Sequence, residues 1–440
     1  MNIVKSAKMK ITKENLLNLS KMFLAVIIFM ASCSDSGDNK LNPSPEKPSS
    51  KEESYLPDWQ EGYLDIHHIA TGMGDATFII CPDGTTMLID AGDRGNVYGD
   101  KATPALPDNS KTPGEWIVDY INHFSAKTKK PGTLDYALVT HFHSDHIGNP
   151  ETAIKGPNSY KLSGITMVGE HIPMATIVDR GWPDYRFPTR QATEESAGGF
   201  WDDYLAFLVY QKANKGTSIE QFVVGSNTQF VLKNNRSSYP GFQIQNLYSS
   251  GEIWTGQGTT KKTLYTAATN PDENMNSCAI KLSYGAFSYF SGGDLSGYNH
   301  AQYASKDRNI EEALAAITGK TTVLKANHHG WIDTTNPTFL QSLKPEAIII
   351  LANHIEHPHP STLARMVDPL VYEGKRSYFI TCLSEGHKRN LGSAANVFKP
   401  AGHIVIRVYA GGAKYRAYVL DVMKESYPVL FQSEEVELGD

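Results

Sequence analysis

Thr140-His141-Phe142-His143-Ser144-Asp145-His146-Ile147-Gly148 is the stretch whose reading decides the fold. It places His141, His143, Asp145 and His146 within six residues. The run before it, Tyr136-Ala-Leu-Val-Thr140, has the composition of a buried strand. His141 and His143 are two apart, so on extended backbone they share one side. Asp145 and His146 follow where the chain turns into a helix, and they face a second point. Neutral imidazoles with a carboxylate suit Zn²⁺ and, less well, Fe or Mn.

Further along the chain, three more strand ends carry chemistry. The strand 287–291 runs into Gly292-Gly293-Asp294, where the glycines let the backbone come close and aim the carboxylate. The strand 322–327 runs into His328-His329-Gly330, again ligand geometry. Either histidine of that pair could complete a metal site, with the other left for substrate oxygens. The strand 347–352 leads to His357-Pro358-His359-Pro360, where prolines hold two imidazoles rigidly.

The His-x-His-x-Asp-His motif resembles the signature loop of the metallo-β-lactamase-fold hydrolase superfamily. The resemblance extends over about residues 60–410. It implies an α/β fold, a four-layer αββα sandwich, with a two-metal site along one sheet edge. It implies His141, His143, Asp145, His146, Asp294, His328 and His329 as metal ligands, with Asp294 as the bridging carboxylate. It also implies that Asp90 buttresses the metal loop. Many members carry a lone metal-binding histidine between the first motif and the bridging Asp. Here His171 is the only histidine in that interval, and it precedes a strand. Two branches match best in motif, the extracytoplasmic hydrolase-like domain of the competence DNA-uptake channel and the pneumococcal phosphorylcholine esterase. Both lack the middle histidine and imply phosphodiester chemistry outside the cytoplasm.

Working outward, the chain has 440 residues, 40% hydrophobic and 20% charged, enough for a large core. A net charge of −6 gives no global attraction to nucleic acid or to an acidic membrane. Residues 1–33 read as a lipoprotein signal: five lysines, then the apolar run Met22-Phe-Leu-Ala-Val-Ile-Ile-Phe-Met-Ala31, then Ser32 and Cys33. Such a run is too short to span a bilayer. Residues 34–58 read as a flexible tether, 59–425 as the catalytic domain and 426–440 as a C-terminal tail. Cys81, Cys278 and Cys382 cannot all pair and follow no zinc-site spacing, so they read as buried small hydrophobes.

Within the domain, a β-meander opens at Leu64 and ends at Asp90. His67 and His68 read as strand histidines with ordinary hydrogen bonds. The apolar pattern predicts helices over 114–124 and 200–214. It predicts strands over 175–179, 222–224, 229–232 and 242–248. Residues 93–112 read as a loop near the metals. Arg180, Arg186 and Arg190 sit in a second loop region, as solvated surface or as charge for a cleft.

The function expected is a binuclear zinc phosphodiesterase, two ions per chain with Mn or Fe as alternatives, using a water activated toward neutral pH. Asp145, His300, His357 and His359 are its candidate catalytic residues. The expected substrate is a phosphodiester in an envelope polymer, a phosphorylcholine-like headgroup or a nucleic acid. The expected place is the bacterial cell envelope, held to a membrane by lipid on Cys33. No protein partner is inferable. The same chemistry serves carboxylic esters, lactones and β-lactams. A non-catalytic ligand-binding lipoprotein is the reading of another class.

Overall fold

The structure is a computed structural model that describes residues 53–270, 272–298 and 308–439. The lipoprotein signal, Cys33 and His300 lie outside the described residues. The folded unit runs from Glu53 to Asp440, so the domain begins within the span read as a tether.

Two mixed sheets face each other. The first orders its strands Val429–Gln432, Lys414–Leu420, His403–Val408, Leu64–His68, Thr77–Ile80, Thr86–Ile89, Leu134–Leu138, Met174–Asp179 and Ser218–Gln221. The second orders them Lys261–Thr263, Glu252–Trp254, Phe242–Ser249, Ala279–Tyr284, Phe287–Ser291, Val323–Lys325, Ala347–Ile350 and Ser377–Ile380. Alternation along the strands decides the layers. Phe78 and Ile80 enter the outer core of the first sheet, whereas Ile79 and Cys81 enter the core between the sheets. Helices Pro113–Ser125, Gly164–His171 and Trp201–Tyr210 cover the first sheet. Helices Ile310–Thr318, Pro337–Leu343 and Pro360–Val367 cover the second. The result is the four-layer αββα sandwich of the metallo-β-lactamase type. Among the described residues no helix is long and apolar enough to cross a membrane.

Local chemistry explains the start of the first covering helix. Thr112 Oγ1 accepts from Glu115 N, and the Glu115 carboxylate accepts from Thr112 N at 2.7 Å. Pro113 occupies the first turn, where a missing N–H costs nothing.

Four expectations change. The segments 222–224 and 229–232 are covering loops rather than strands. Phe222, Val224, Phe230 and Leu232 still bury in the central core. Phe222 N donates to Asp179 O, but the backbone around it turns to side chains: Val223 N donates to Gln229 Oε1, and Val231 N donates to Tyr136 Oη. Apolar content alone does not distinguish such a cover from a strand. The presumed C-terminal tail supplies Val429–Gln432 and Val436–Glu437 to the first sheet. Val429 N donates to Ser54 O, which ties both ends of the unit together. Arg180 is neither solvated nor loop charge for a cleft: it is 2% exposed and its guanidinium pairs with Glu273. The helix at 200–214 is α-helical only over Trp201–Tyr210 and continues as a wider turn over Gln211–Lys215. Cys81, Cys278 and Cys382 are buried free thiols.

Candidate metal centre

The parallel strands Thr86–Ile89 and Leu134–Leu138 end side by side. At these ends sit Asp90 and the 140–148 loop. Asp90 adopts a left-handed backbone, φ 58°, uncommon for a residue with a Cβ and typical of strained functional positions. Its carboxylate accepts from Thr140 N at 2.7 Å, from Thr140 Oγ1 at 2.7 Å and from His146 Nδ1 at 2.8 Å. Asp90 therefore holds His146 with Nε2 facing the centre, as the family resemblance implied.

Gly92 and Gly74 let three loops touch. A Cβ on Gly92 would stand 1.7 Å from Asp145 O, and one on Gly74 would stand 2.5 Å from it. Asp75 N donates to Asp145 O at 2.8 Å, and Ala91 N donates to His146 O at 3.0 Å. These bonds fix Asp145 and His146 in the short turn Ser144–Ile147.

Asp294 arrives from the second sheet. His146 Nε2 lies 3.3 Å from its Oδ1, and His329 Nε2 lies 3.3 Å from its Oδ2. His329 Nε2 is also 3.1 Å from Asp145 Oδ2. Asp145, His146, Asp294 and His329 are buried, with donor atoms all within 4.8 Å of one another. His141 Nε2 stands 3.9 Å from Asp294 Oδ2 and 3.2 Å from His143 Nδ1. His146 Nε2 and Asp294 Oδ1 are buried with no hydrogen-bond partner, a cost that a coordinated ion removes. The donor set fits a centre for two divalent ions, with Asp294 reaching both sides.

Electrostatics agree. Burial pushes Asp294 upward, but His146, His329 and His328 outweigh it and hold the carboxyl well below its usual range. Asp145 is likewise lowered, chiefly by His146 and His329 acting against burial. Burial lowers His146 and His329, yet the surrounding carboxylates, Asp294 foremost, raise both well above an ordinary imidazole. Burial with the neighbouring His146 lowers His141.

The paired histidines separate. His328 and His329 both take left-handed backbone, φ 42° and 53°, so adjacent side chains leave in different directions. His329 joins the four-donor cluster. His328 does not: its Nδ1 is 3.1 Å from buried Asp333, and its Nε2 is 3.9 Å from Asp294 Oδ2 and 3.2 Å from Asn274 Nδ2. Of the pair, His329 is the one that belongs to the four-donor cluster.

His357 is buried and stacks on His329, centroids 4.6 Å apart and planes 16° apart. His359 is directed elsewhere: it caps the helix Pro360–Val367, its Nδ1 accepting from Ser361 N at 3.3 Å. That turn chemistry places it outside the cluster. His171 is exposed at the end of the otherwise buried helix Gly164–His171. His67 and His68 bond to Tyr120 Oη and Tyr289 Oη.

Sequence reasoning missed Asn353, whose Nδ2 donates to Asp145 Oδ2 at 2.8 Å, and Glu273. Glu273 accepts from Phe142 N at 3.0 Å and from Arg180 Nε at 2.8 Å, so it clamps the peptide between His141 and His143. Both lie in loops, with no periodic signal to announce them. A cavity of about 520 Å³ opens beside His143, lined also by Thr189, Glu195, Asp272 and Asn276.

Residues 70–150, which hold the strands Thr77–Ile80, Thr86–Ile89 and Leu134–Leu138, Asp75, Asp90 and the whole motif loop, match the family model described as Metallo-beta-lactamase superfamily. No curated protein matches the sequence. Solved structures that the chain matches include CmlA, a diiron beta-hydroxylase from Streptomyces venezuelae. It is 12% identical with a TM-score of 0.31, over 67% of this chain and 45% of that one. Another is a protein from Parabacteroides distasonis described as a metal-dependent hydrolase. It is 12% identical with a TM-score of 0.29, over 71% of this chain and 92% of that one. The match spans less than half the length of the hydroxylase.

Proposed function

We propose that this chain is a metal-dependent hydrolase that cleaves phosphodiesters at a two-ion centre, with zinc as the resident metal. The observation that carries the reading is the asymmetry of the donor set. One side offers Asp145, His146, His329 and Asp294. The other offers His141, His143 and Asp294, while His328, whose Nε2 is also 3.9 Å from Asp294 Oδ2, is engaged by Asp333 and Asn274. That side keeps room for a substrate oxygen. When bound, two such ions supply a nucleophile at neutral pH and charge stabilisation for a phosphoryl group.

The chain's own residues do the rest. His328 is 16% exposed; burial lowers its pKa, but Asp333 at Nδ1 and Asp294 raise it overall, so in its charged form Nε2 is a hydrogen-bond donor to a phosphoryl oxygen beside the shared carboxylate. Asn274 flanks it. A phosphodiester has two non-bridging oxygens to receive such contacts, whereas a β-lactam carbonyl has one. The cavity beside His143 carries Glu195 and Asp272, and no Lys or Arg lines it among the described residues. That lining favours a small or zwitterionic diester over a nucleic-acid polymer.

The reading extends to place. Met30-Ala-Ser-Cys33 after an apolar run supports a lipid anchor on the extracytoplasmic side of a bacterial membrane. Cys33→Ala releases the protein from membranes, and retention after a salt wash refutes anchoring.

The chemical test compares kcat/KM of the zinc-loaded protein on bis-nitrophenyl phosphate, nitrophenyl phosphorylcholine and nitrocefin. Faster turnover of nitrocefin than of either diester refutes the proposal. Diester cleavage that persists unchanged in Asp145→Ala, His146→Ala and Asp294→Ala refutes it as well.

A further inference from the structure

Lys325 is the last residue of the strand Val323–Lys325 and is 3% exposed. A buried ammonium beside a centre built for cations needs a physical reason, because it repels them. Its contacts supply one. Lys325 Nζ lies 2.6 Å from Asp75 Oδ2 and donates to Gly293 O at 3.3 Å. Asp75, 2% exposed, places its other oxygen, Oδ1, 3.0 Å from His329 Nδ1. The same Nδ1 is 2.9 Å from Leu351 O. Two oxygens at Nδ1 favour a proton there, so Nε2, directed at Asp145 and Asp294, is the nitrogen that would coordinate once an ion takes the place of its proton. Asp90 does the same for His146 from the opposite side. Asp75 is not among the four clustered donors: its Oδ2 faces Lys325 Nζ and its Oδ1 faces the back of His329.

We propose that Asp75 and Lys325 act as one positioning unit for metal capture. Asp75 fixes His329 for coordination, and Lys325 cancels the charge that this further buried carboxylate would add beside Asp90, Asp145 and Asp294. Lys325 also ties the turn carrying Asp294 to the turn that holds Asp145, since Asp75 N donates to Asp145 O. The two halves of the unit have opposite effects on cation affinity. This inference requires metal at the cluster and is independent of which bond is hydrolysed.

The full-length, zinc-loaded protein is equilibrated with graded concentrations of a chelator. Retained zinc is measured by elemental analysis, and melting of the metal-free form is followed by circular dichroism. Asp75→Asn releases zinc at a chelator concentration about 10–100-fold lower than wild type. Lys325→Met retains zinc to at least the wild-type midpoint while its metal-free form melts earlier. Asp75→Asn with Lys325→Met recovers metal-free melting, because no buried charge is left unpaired, yet still releases zinc early. That double variant carries the test even where Asp75→Asn alone does not fold. A double variant with the wild-type midpoint overturns the proposal, as does Lys325→Met releasing zinc as early as Asp75→Asn. Failure of the metal reading is distinct: wild type itself then retains no zinc.

Discussion

Replacing Arg180 by Met tests whether the metal loop depends on a buried ion pair far from it in sequence. The Arg180 guanidinium meets Glu273 through Nε at 2.8 Å and Nη2 at 2.5 Å, with both side chains nearly sealed from solvent. Its Nη1 donates to Phe187 O at 2.7 Å. Met fills much of the volume but leaves the Glu273 carboxylate buried and unpaired. Removing one partner of such a pair costs about 3–5 kcal/mol. The unit Glu53–Asp440 has ~390 residues. At about 2.1 cal/mol/K per residue its unfolding entropy is about 0.8 kcal/mol/K, so the loss lowers Tm by about 4–6 °C. Melting of the metal-free variant by circular dichroism measures this directly. Glu273→Gln in the same chain removes the stranded charge and keeps an amide oxygen for Phe142 N. The double variant therefore recovers at least half of the loss. A single variant within about 1 °C of wild type refutes the reasoning, since the domain entropy converts the smallest expected loss to several degrees. A double variant that melts no higher than the single refutes it too.

Other outcomes follow from the same geometry. Zinc-supplemented wild type carries two metals per chain by elemental analysis, and Asp294→Ala loses both because its carboxylate serves both sides; a wild-type content below about 1.5 refutes a two-ion centre. Gly92→Ala forces the Asp145 backbone away, since the new Cβ would lie 1.7 Å from Asp145 O. It lowers zinc content while far-ultraviolet circular dichroism keeps its native shape. Glu311 is fully buried, and burial raises its pKa from 4.5 to about 7 against the donors Asn336 N, Asn327 Nδ2 and Thr335 N. Between those values the unfolded chain has lost the proton and the folded chain retains it. Stability therefore falls as pH rises from 4.5 to about 7, by about 3 kcal/mol. Glu311→Gln flattens that part of the urea-denaturation profile.

The residues 140–148 determined a great deal by themselves. Side chains at fixed offsets on a strand end and a single helical turn have nearly fixed relative directions. His141, His143, Asp145 and His146 were therefore legible as one constellation, and the Gly-Gly before Asp294 as a close approach. The opening meander was legible from its strand-like runs and the Pro82-Asp83-Gly84 turn, and the layered α/β sandwich from the family resemblance of the motif loop. Tertiary structure alone decided the rest. His328 and His329 are adjacent, and only their left-handed backbone shows that one enters the cluster and the other faces Asp333. Asp75, Lys325 and His329 join across more than 250 residues, as do Arg180, Glu273 and Phe142 across shorter intervals. His359 follows the helix-capping chemistry of its own turn instead of the metals. The division has a physical basis. Local spacing governs geometry within one element, where the backbone repeat is rigid. Which loops meet depends on how the two sheets pack and on which buried charges must find partners, and these are properties of the whole chain.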